Sequence, residues 1–417
     1  MTEIFISHIK INNVRHLHGL DIPLSTEKKK HLILTGKNGS GKTTVLNALK
    51  GYLNGITDGR YSEIKSWNYN ISENEKDIML LESEIQNNPQ NDNLQKQIIQ
   101  KKHNKKRFES LLQSYKNIEL SINNDDYACD NYGNGEFILA FFDAKRIKTV
   151  QSVLGINKLD LPKTFQLDYQ FNQFFTQYIV NLKAERSFAN DDNDAETIKK
   201  IDDWFEKFES ALKFLFDEKN LQLDFDRKNY NFNILLNNHQ PFDFNTLSDG
   251  YSAIMSIITE LILRMESKSP KVYDVQGIVL IDEIEAHLHI DLQKKILPFL
   301  TAFFPKIQFI VTTHSPFVLT SVQDAIVYDL EKQIRIEDLS GYSLDAVVES
   351  YFDSDQYSEV IKKQVEEYEN LSELKNRNEE QNIRYNFLKK YFRELPKAFS
   401  EELDYKIKQI ELANLRQ

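Results

Sequence analysis

One cysteine, Cys129, stands in 417 residues. An internal disulfide framework is therefore excluded, and a reducing, cytoplasmic setting suits the chain. No apolar run approaches the ~20 residues that a membrane-spanning helix needs, which excludes a transporter with its own span. Positive charge is in deficit: 52 Lys and Arg stand against 63 Asp and Glu, a net charge of −11. The bulk balance asks for no nucleic acid, and any DNA contact has to come from a local patch. The first ten residues alternate apolar and polar like a strand and do not read as a signal peptide. Nuclease signatures are missing too: no H-N-H cluster is present, and no Toprim-like nuclease motif is read after the head. Any cutting of nucleic acid falls to another polypeptide. The length allows one large or two ordinary domains.

Against these absences stands Gly36-Lys37-Asn38-Gly39-Ser40-Gly41-Lys42-Thr43, entered from the apolar run Leu32-Ile33-Leu34. It fits G-x-x-x-x-G-K-[ST], the phosphate-binding loop. The glycines let successive backbone N–H groups turn inward around phosphate oxygens. Lys42 brings a point charge to the β- and γ-phosphates, and Thr43 offers a hydroxyl to Mg²⁺. From Thr44 onward the chain reads as a helix whose N-terminus favours an anion. The expected nucleotide-binding residues are Gly36, Asn38, Gly39, Ser40, Gly41, Lys42, Thr43 and Thr44.

A second apolar strand, Ile278-Val279-Leu280-Ile281, ends in Asp282-Glu283. Asp282 is placed for the Mg²⁺ shell and Glu283 for general-base work on water. A third runs from Ile307 to Thr313 and ends in His314-Ser315-Pro316. The carboxyl end of such a strand faces the ligand in an open α/β sheet. Between them, Leu247-Ser248-Asp249-Gly250 opens an apolar helix, a second anion-binding terminus. Taken alone, that stretch is equally an ordinary turn and cap.

In this order the motifs resemble the ABC-type ATPases of the RecF, SMC and OLD-like class. The resemblance implies an α/β head: a P-loop core sheet, an antiparallel β element and a helical lobe. It implies ATP and Mg²⁺ as ligands, Glu283 as catalytic base and His314 as γ-phosphate sensor. It further implies two heads paired head to tail, with Ser248 and Gly250 completing the partner's site in trans. Asn13-Val14-Arg15-His16 is similar to a segment that brings an arginine near the nucleotide; an exposed hairpin arginine is the competing reading of Arg15. The stretches Leu-Ser-Asp-Gly-Tyr, Ile-Asp-Glu-Ile-Glu-Ala-His-Leu-His and Thr-Thr-His-Ser-Pro-Phe-Val narrow the resemblance. They are similar to the ATPases of Septu (PtuA-like) and retron-associated anti-phage systems. For that group the implied role is a dimerising switch, or a higher homo-oligomer, that controls a separately encoded effector, a nuclease. The alternative is a RecF-like DNA repair and maintenance ATPase. No glutamine takes the Q-loop position after the strand Phe137-Ile138-Leu139-Ala140-Phe141-Phe142; Lys145 or Arg146 is a candidate there for a γ-phosphate or linker role.

Four segments follow from composition. Residues 1–60 form the first part of the head with the P-loop. Residues 61–126, rich in Glu, Gln, Asn and Lys, read as an inserted coiled-coil-like helical hairpin broken at Pro89. Residues 127–340 hold the helical lobe, signature and remaining head, with the stretch from Leu159 to Phe216 mostly helical. The aromatic stripe Phe171, Phe174, Phe175, Tyr178 is assigned to the core. Residues 341–417 form a charged helical tail, with Tyr385, Leu388, Tyr391, Phe392 and Leu395 as an apolar face for the head or a partner. The basic run at 101–107 is either a phosphate-backbone contact or a solvated helix face.

Overall fold

A computed structural model describes residues 3–87, 91–115, 117–146, 151, 153–237, 240–266, 274–342, 359–374, 376–394 and 407. Pro89, the stretch 343–358 and Leu395 lie outside the described residues. The chain divides into two compact units, Met1–Tyr342 and Ser343–Gln417.

The first unit is built on strands that the sequence leaves almost wholly apolar. β3 (His31–Thr35), β5 (Phe137–Phe142), β9 (Gln276–Ile281), β10 (Ile307–Thr312) and β11 (Ala325–Asp329) are buried along their whole length. Continuous apolar runs of this kind belong to parallel sheets covered on both faces. They pair in parallel in the order β11-β3-β10-β9-β5, and the short β12 (Ile334–Ile336) adds an antiparallel edge beside β11. Gly277 is needed where β9 meets β5: a Cβ there would lie 2.4 Å from the Ile138 carbonyl oxygen.

β1 (Ile6–Val14) and β2 (Leu17–Pro23) form an antiparallel hairpin, and β4 (Ile118–Ile122) pairs on the other side of β1. Their alternating burial marks a sheet with one covered face. Two buried glutamines tie its leading edge to the parallel sheet. Gln276 accepts from Ile4 N at 2.8 Å, and Gln308 brackets Ile6, accepting from its N at 2.7 Å and donating to its O at 2.9 Å.

Between β2 and β4 the chain runs through β3, then α1 (Lys42–Thr57), α2 (Tyr61–Asn87) and α3 (Asp92–Leu111). In α1 the buried Val45, Leu46, Leu49, Leu53 and Ile56 form one helical stripe. Helices α2 and α3 pack on each other with few apolar contacts, chiefly Ile78 and Ile98. Charge carries the rest of that interface: Lys101 pairs with Asp77 at 2.6 Å, Lys102 with Glu82 at 2.7 Å and Lys105 with Glu75 at 2.7 Å. Three lysines of the basic run are thus matched within the hairpin itself.

α4 (Asp125–Asn134) leads into β5. The region from 159 to 171 is irregular rather than helical, a correction to the sequence reading; regular helix begins with α5 (Phe175–Asp191) and continues in α6 (Ala195–Phe216). Aromatic residues fill this lobe. Phe175 lies 5.4 Å from Phe208 between ring centroids, and Trp204 stacks on Phe208 at 5.3 Å. Of the aromatic stripe, Phe175 and Tyr178 are core, as expected, while Phe171 and Phe174 are half-buried. β6 (Gln222–Asp226), β7 (Asn231–Leu235) and β8 (Phe242–Asp243) form a small antiparallel sheet that delivers the chain to α7 (Asp249–Glu266).

A buried ion pair anchors α7. Arg264 donates from Nε to Glu260 at 2.7 Å and from Nη1 to the Leu139 carbonyl of β5 at 2.6 Å. The second carboxylate oxygen of Glu260 accepts from Phe171 N and Asn172 N. No described helix is long and apolar enough to cross a membrane.

His31, at the start of β3, is the most perturbed histidine of the fold. Its Nδ1 accepts from Phe309 N at 3.0 Å. Burial, aided by Lys29 and Lys30 against the opposing Asp324, lowers its pKa to about 3. Between that value and the ordinary 6.5 the unfolded chain binds a proton that the folded chain refuses. Stability therefore falls as pH drops below 6.5, by about 1.4 kcal/mol per pH unit from this group. In denaturant titrations from pH 7 to 4.5, His31→Gln should lose less stability on acidification than the native chain. A pH-independent difference between the two would contradict this account.

The tail unit contains helices Glu359–Glu373 and Glu379–Glu394. Leu388 and Phe392 are buried among Val365, Tyr368, Leu371 and Ile407. Arg384 grips Glu367 through two bonds of 2.8 and 2.7 Å. The apolar face expected to serve the head or a partner is thus spent largely inside the tail, because the preceding helix supplies a matching stripe.

Candidate active site

Sheet order decides which side chains meet. β3, β10 and β9 are consecutive neighbours, so the three loops at their carboxyl ends lie side by side. They carry the P-loop, His314 and the Asp282-Glu283 pair respectively.

The P-loop leaves β3 at Gly36 (φ +131°), turns at the exposed Gly39 (φ +86°) and enters α1 through Gly41 (φ +98°). Two of these glycines are also closely approached by side chains. A Cβ on Gly36 would meet Ser40 Oγ at 2.8 Å, and one on Gly41 would meet Leu17 Cδ1 at 2.9 Å. No side chain caps α1, which leaves its first N–H groups to the loop side. Ser40 Oγ is buried without a partner. Lys42 lies folded over the loop, its Nζ donating to Gly36 O at 2.8 Å and Lys37 O at 3.1 Å. Asn38 is exposed at the crest of the loop and Thr44 is half-buried on the first turn of α1. The cradle fits a polyphosphate.

Thr43 joins this loop to the acidic strand end: its Oγ1 donates to Asp282 Oδ1 at 3.2 Å. The same carboxylate oxygen accepts from Thr312 Oγ1 at 2.6 Å. A hydroxyl and a carboxylate side by side are the hard oxygen donors that Mg²⁺ takes in nucleotide sites. Thr43 and Asp282 are therefore the residues that would hold it.

Glu283 follows in a left-handed conformation, φ +44°, which costs a side-chain-bearing residue of the order of 1 kcal/mol and needs outside support. Its N–H donates to Thr312 Oγ1 at 2.7 Å, and Ile284 N donates to Thr312 O at 3.1 Å. The Glu283 side chain is half-buried and, among the described residues, is not tied up in an ion pair.

Four carboxylates, Glu283, Glu285, Asp282 and Asp329, act on Lys42 and support its charge, but burial outweighs them and lowers its pKa. An anionic nucleotide alone would be repelled by these acids; the divalent cation's charge offsets them. His314 is half-buried beside them. Burial, then Lys42, pushes its pKa below the ordinary histidine value, so it is neutral at pH 7. Its backbone N–H donates to Glu285 Oε1. Ser315, the next residue, donates from Oγ to Gln293 at 2.6 Å, which secures the loop.

Arg15 is exposed at the β1–β2 turn with φ +55°. The residue of that turn that reaches the P-loop is its neighbour, His16, whose Nε2 lies 3.2 Å from Ser40 O. Three residues that the sequence left without a settled role thus belong to the site: His16, Glu285 and Arg146. Arg146, after β5, grips the backbone that carries the acidic pair. It donates to Asp282 O at 3.2 Å, Glu283 O at 3.0 Å and Ile284 O at 3.4 Å.

The signature segment makes different contacts. Ser248 is exposed just before α7, while Gly250 is buried against the chain beyond Glu283. A Cβ on Gly250 would lie 3.0 Å from His287 O. Gly250 is therefore packed closely against its own chain, whereas Ser248 faces outward.

A phosphate loop on a central parallel strand, with an Asp-Glu pair two strands away, defines a P-loop nucleotide-binding domain. The chain belongs to the family described as "AAA domain, putative AbiEii toxin, Type IV TA system", whose model matches residues 32–320. It is 25% identical over 360 residues to a Septu protein PtuA of Bacillus mycoides (strain KBAB4), covering 84% of this chain and 44% of that one. It is 23% identical over 385 residues to the "Retron Vc95 probable ATPase" of Vibrio cholerae serotype O1 biovar El Tor, covering 76% and 72% respectively. The chain thus spans less than half of the Septu relative's length. Among solved structures, an SMC head bound to the C-winged helix domain of ScpA aligns over 79% of this chain and 96% of that one, with 11% identity and a TM-score of 0.36.

Proposed function

We propose that this protein hydrolyses ATP with Mg²⁺ in sites shared between two copies of the chain, and that the ATP-bound pair controls a separately encoded nuclease in anti-phage defence. The observation that carries the reading is the division of the motifs. The P-loop, Thr43, Asp282, Glu283 and His314 are joined on neighbouring strand ends, while the signature serine is exposed. Glu283 accepts a proton from the attacking water as its oxygen bonds to the γ-phosphorus and the β–γ bridging bond breaks, giving ADP and phosphate. Mg²⁺, when bound, neutralises phosphate charge. Lys42 and the N-terminus of α1 hold the phosphates, and His314 donates a ring N–H to a γ-phosphate oxygen. Two equivalent sites in a symmetric pair follow from the head-to-tail arrangement.

The defence role rests on the kinship with Septu and retron proteins. The DNA-maintenance alternative has no matching observation, since the basic run is largely ion-paired within its hairpin. The test is mass in solution. Glu283→Gln with ATP and Mg²⁺ should sediment as a dimer or an even multiple, and Ser248→Arg in the same background should not while still binding nucleotide. Identical masses for the two, with and without ATP, would overturn the pairing.

A further inference from the structure

The most unusual contact of the site is made by Arg146, which the sequence offered only as a candidate at the Q-loop position. Arg146 lies four residues beyond β5, the sheet neighbour of β9. Its guanidinium bonds three consecutive carbonyls, those of Asp282, Glu283 and Ile284. Carbonyls of consecutive residues converge on one donor only where the backbone is irregular, and here the central residue is the left-handed Glu283. A planar fork with five donors suits that task, and a lysine would not span it. Among the described residues, Arg146 Nε and Glu285 Oε2 are both buried without a hydrogen-bond partner. The guanidinium is thus committed to the backbone through its two terminal nitrogens. Burial lowers its pKa to about 10, with Glu285, Asp282, Glu283 and Asp143 opposing, so it keeps its charge at neutral pH.

We propose that Arg146 is a positioning residue for hydrolysis, which holds the general base by clamping the 282–284 carbonyls and acts through Glu283 without binding the nucleotide. Two anchors fix the Glu283 peptide from opposite sides: Thr312 takes its N–H and Arg146 takes its carbonyl. Without the arginine, three carbonyls lose a charged partner and the left-handed turn loses its support. The carboxylate then wanders from the line of attack, and misplacement of about 1 Å costs on the order of 10²-fold in rate.

The inference rests on Glu283 as base, and a double-mutant cycle separates the two claims. Arg146→Ala and Arg146→Lys should lower kcat on the order of 10²-fold with nucleotide affinity unchanged, measured with a fluorescent ATP analogue. Added guanidinium, well below denaturing concentrations, should restore part of the rate of Arg146→Ala and none of Arg146→Lys. In the Glu283→Gln background, Arg146→Ala should cost nothing further, because the group it positions is gone. Arg146→Gln provides the same readouts should the alanine variant fail to fold. A wild-type rate for Arg146→Ala beside an inactive Glu283→Gln would overturn the positioning role alone. So would a parallel loss of ATP affinity, or a full additional loss on top of Glu283→Gln. An active Glu283→Gln would instead remove the base assignment.

Discussion

Replacing Glu283 by glutamine should abolish most ATP turnover and leave ATP binding intact. The amide is nearly isosteric and keeps the backbone anchors at Thr312 and Arg146, yet it cannot accept the proton of the attacking water. Loss of a general base costs ~10²–10⁴-fold. Binding is spared because the phosphates are held elsewhere, by Gly36, Ser40, Gly41 and Lys42 around the loop. Lys42→Ala gives the opposite pattern and weakens nucleotide affinity itself, since it removes the ammonium that lies over the loop. Steady-state phosphate release, paired with equilibrium binding of a fluorescent nucleotide, distinguishes the two. Glu283→Gln turning over at the native rate would mean that another group activates the water. Glu285 is a poorer candidate for that role, since its Oε1 is engaged by the backbone of His314 and its Oε2 is buried.

Much of this site was legible because its parts are local strings. The P-loop needs eight consecutive residues and brings its own geometry; Gly36 and Gly41 have the positive φ that the spacing implies. Asp282, Glu283 and His314 were legible as the polar ends of fully apolar runs. The contacts that escaped the sequence depend on sheet order, which spacing does not encode. Arg146 reaches Asp282 only because β5 lies beside β9, across 136 residues of chain. His16 reaches Ser40 because the β1–β2 turn folds over the P-loop, and the sequence pointed instead to its neighbour Arg15. A usable signal existed in the glutamines. Gln276 and Gln308 are polar residues inside otherwise apolar strands, and each buried amide demanded a partner, found in the backbone of the N-terminal strand. The lysine run at 101–107 was ambiguous in sequence because its acidic partners lie on the preceding helix at 75, 77 and 82. The tail's apolar face was visible by period, but its partner, the helix Glu359–Glu373, was not.

The second large effect concerns Ser248. An arginine in its place adds bulk and charge on an exposed turn, at a distance in sequence from every group that holds phosphate. Folding and P-loop binding should persist, because Ser248 is exposed and Gly250, which packs on His287, is untouched. Turnover should nevertheless collapse, since the arginine bars a second chain from closing over the nucleotide. Effects on an exposed surface residue are ordinarily within ±0.5 kcal/mol, so a loss of most activity cannot be a stability effect. Mixing Ser248→Arg with Lys42→Ala regenerates one undamaged site in each mixed pair, made from the P-loop of the first variant and the signature of the second. With random exchange and independently acting sites, about a quarter of native activity should return, half the pairs being mixed and half their sites intact.

The most direct measurement of the central claim, that the site is completed in trans, is therefore ATP hydrolysis by Ser248→Arg alone and after mixing with Lys42→Ala. The account predicts almost no turnover from either variant by itself and recovery in the mixture. Native turnover by Ser248→Arg, sedimenting as a single chain, would contradict it.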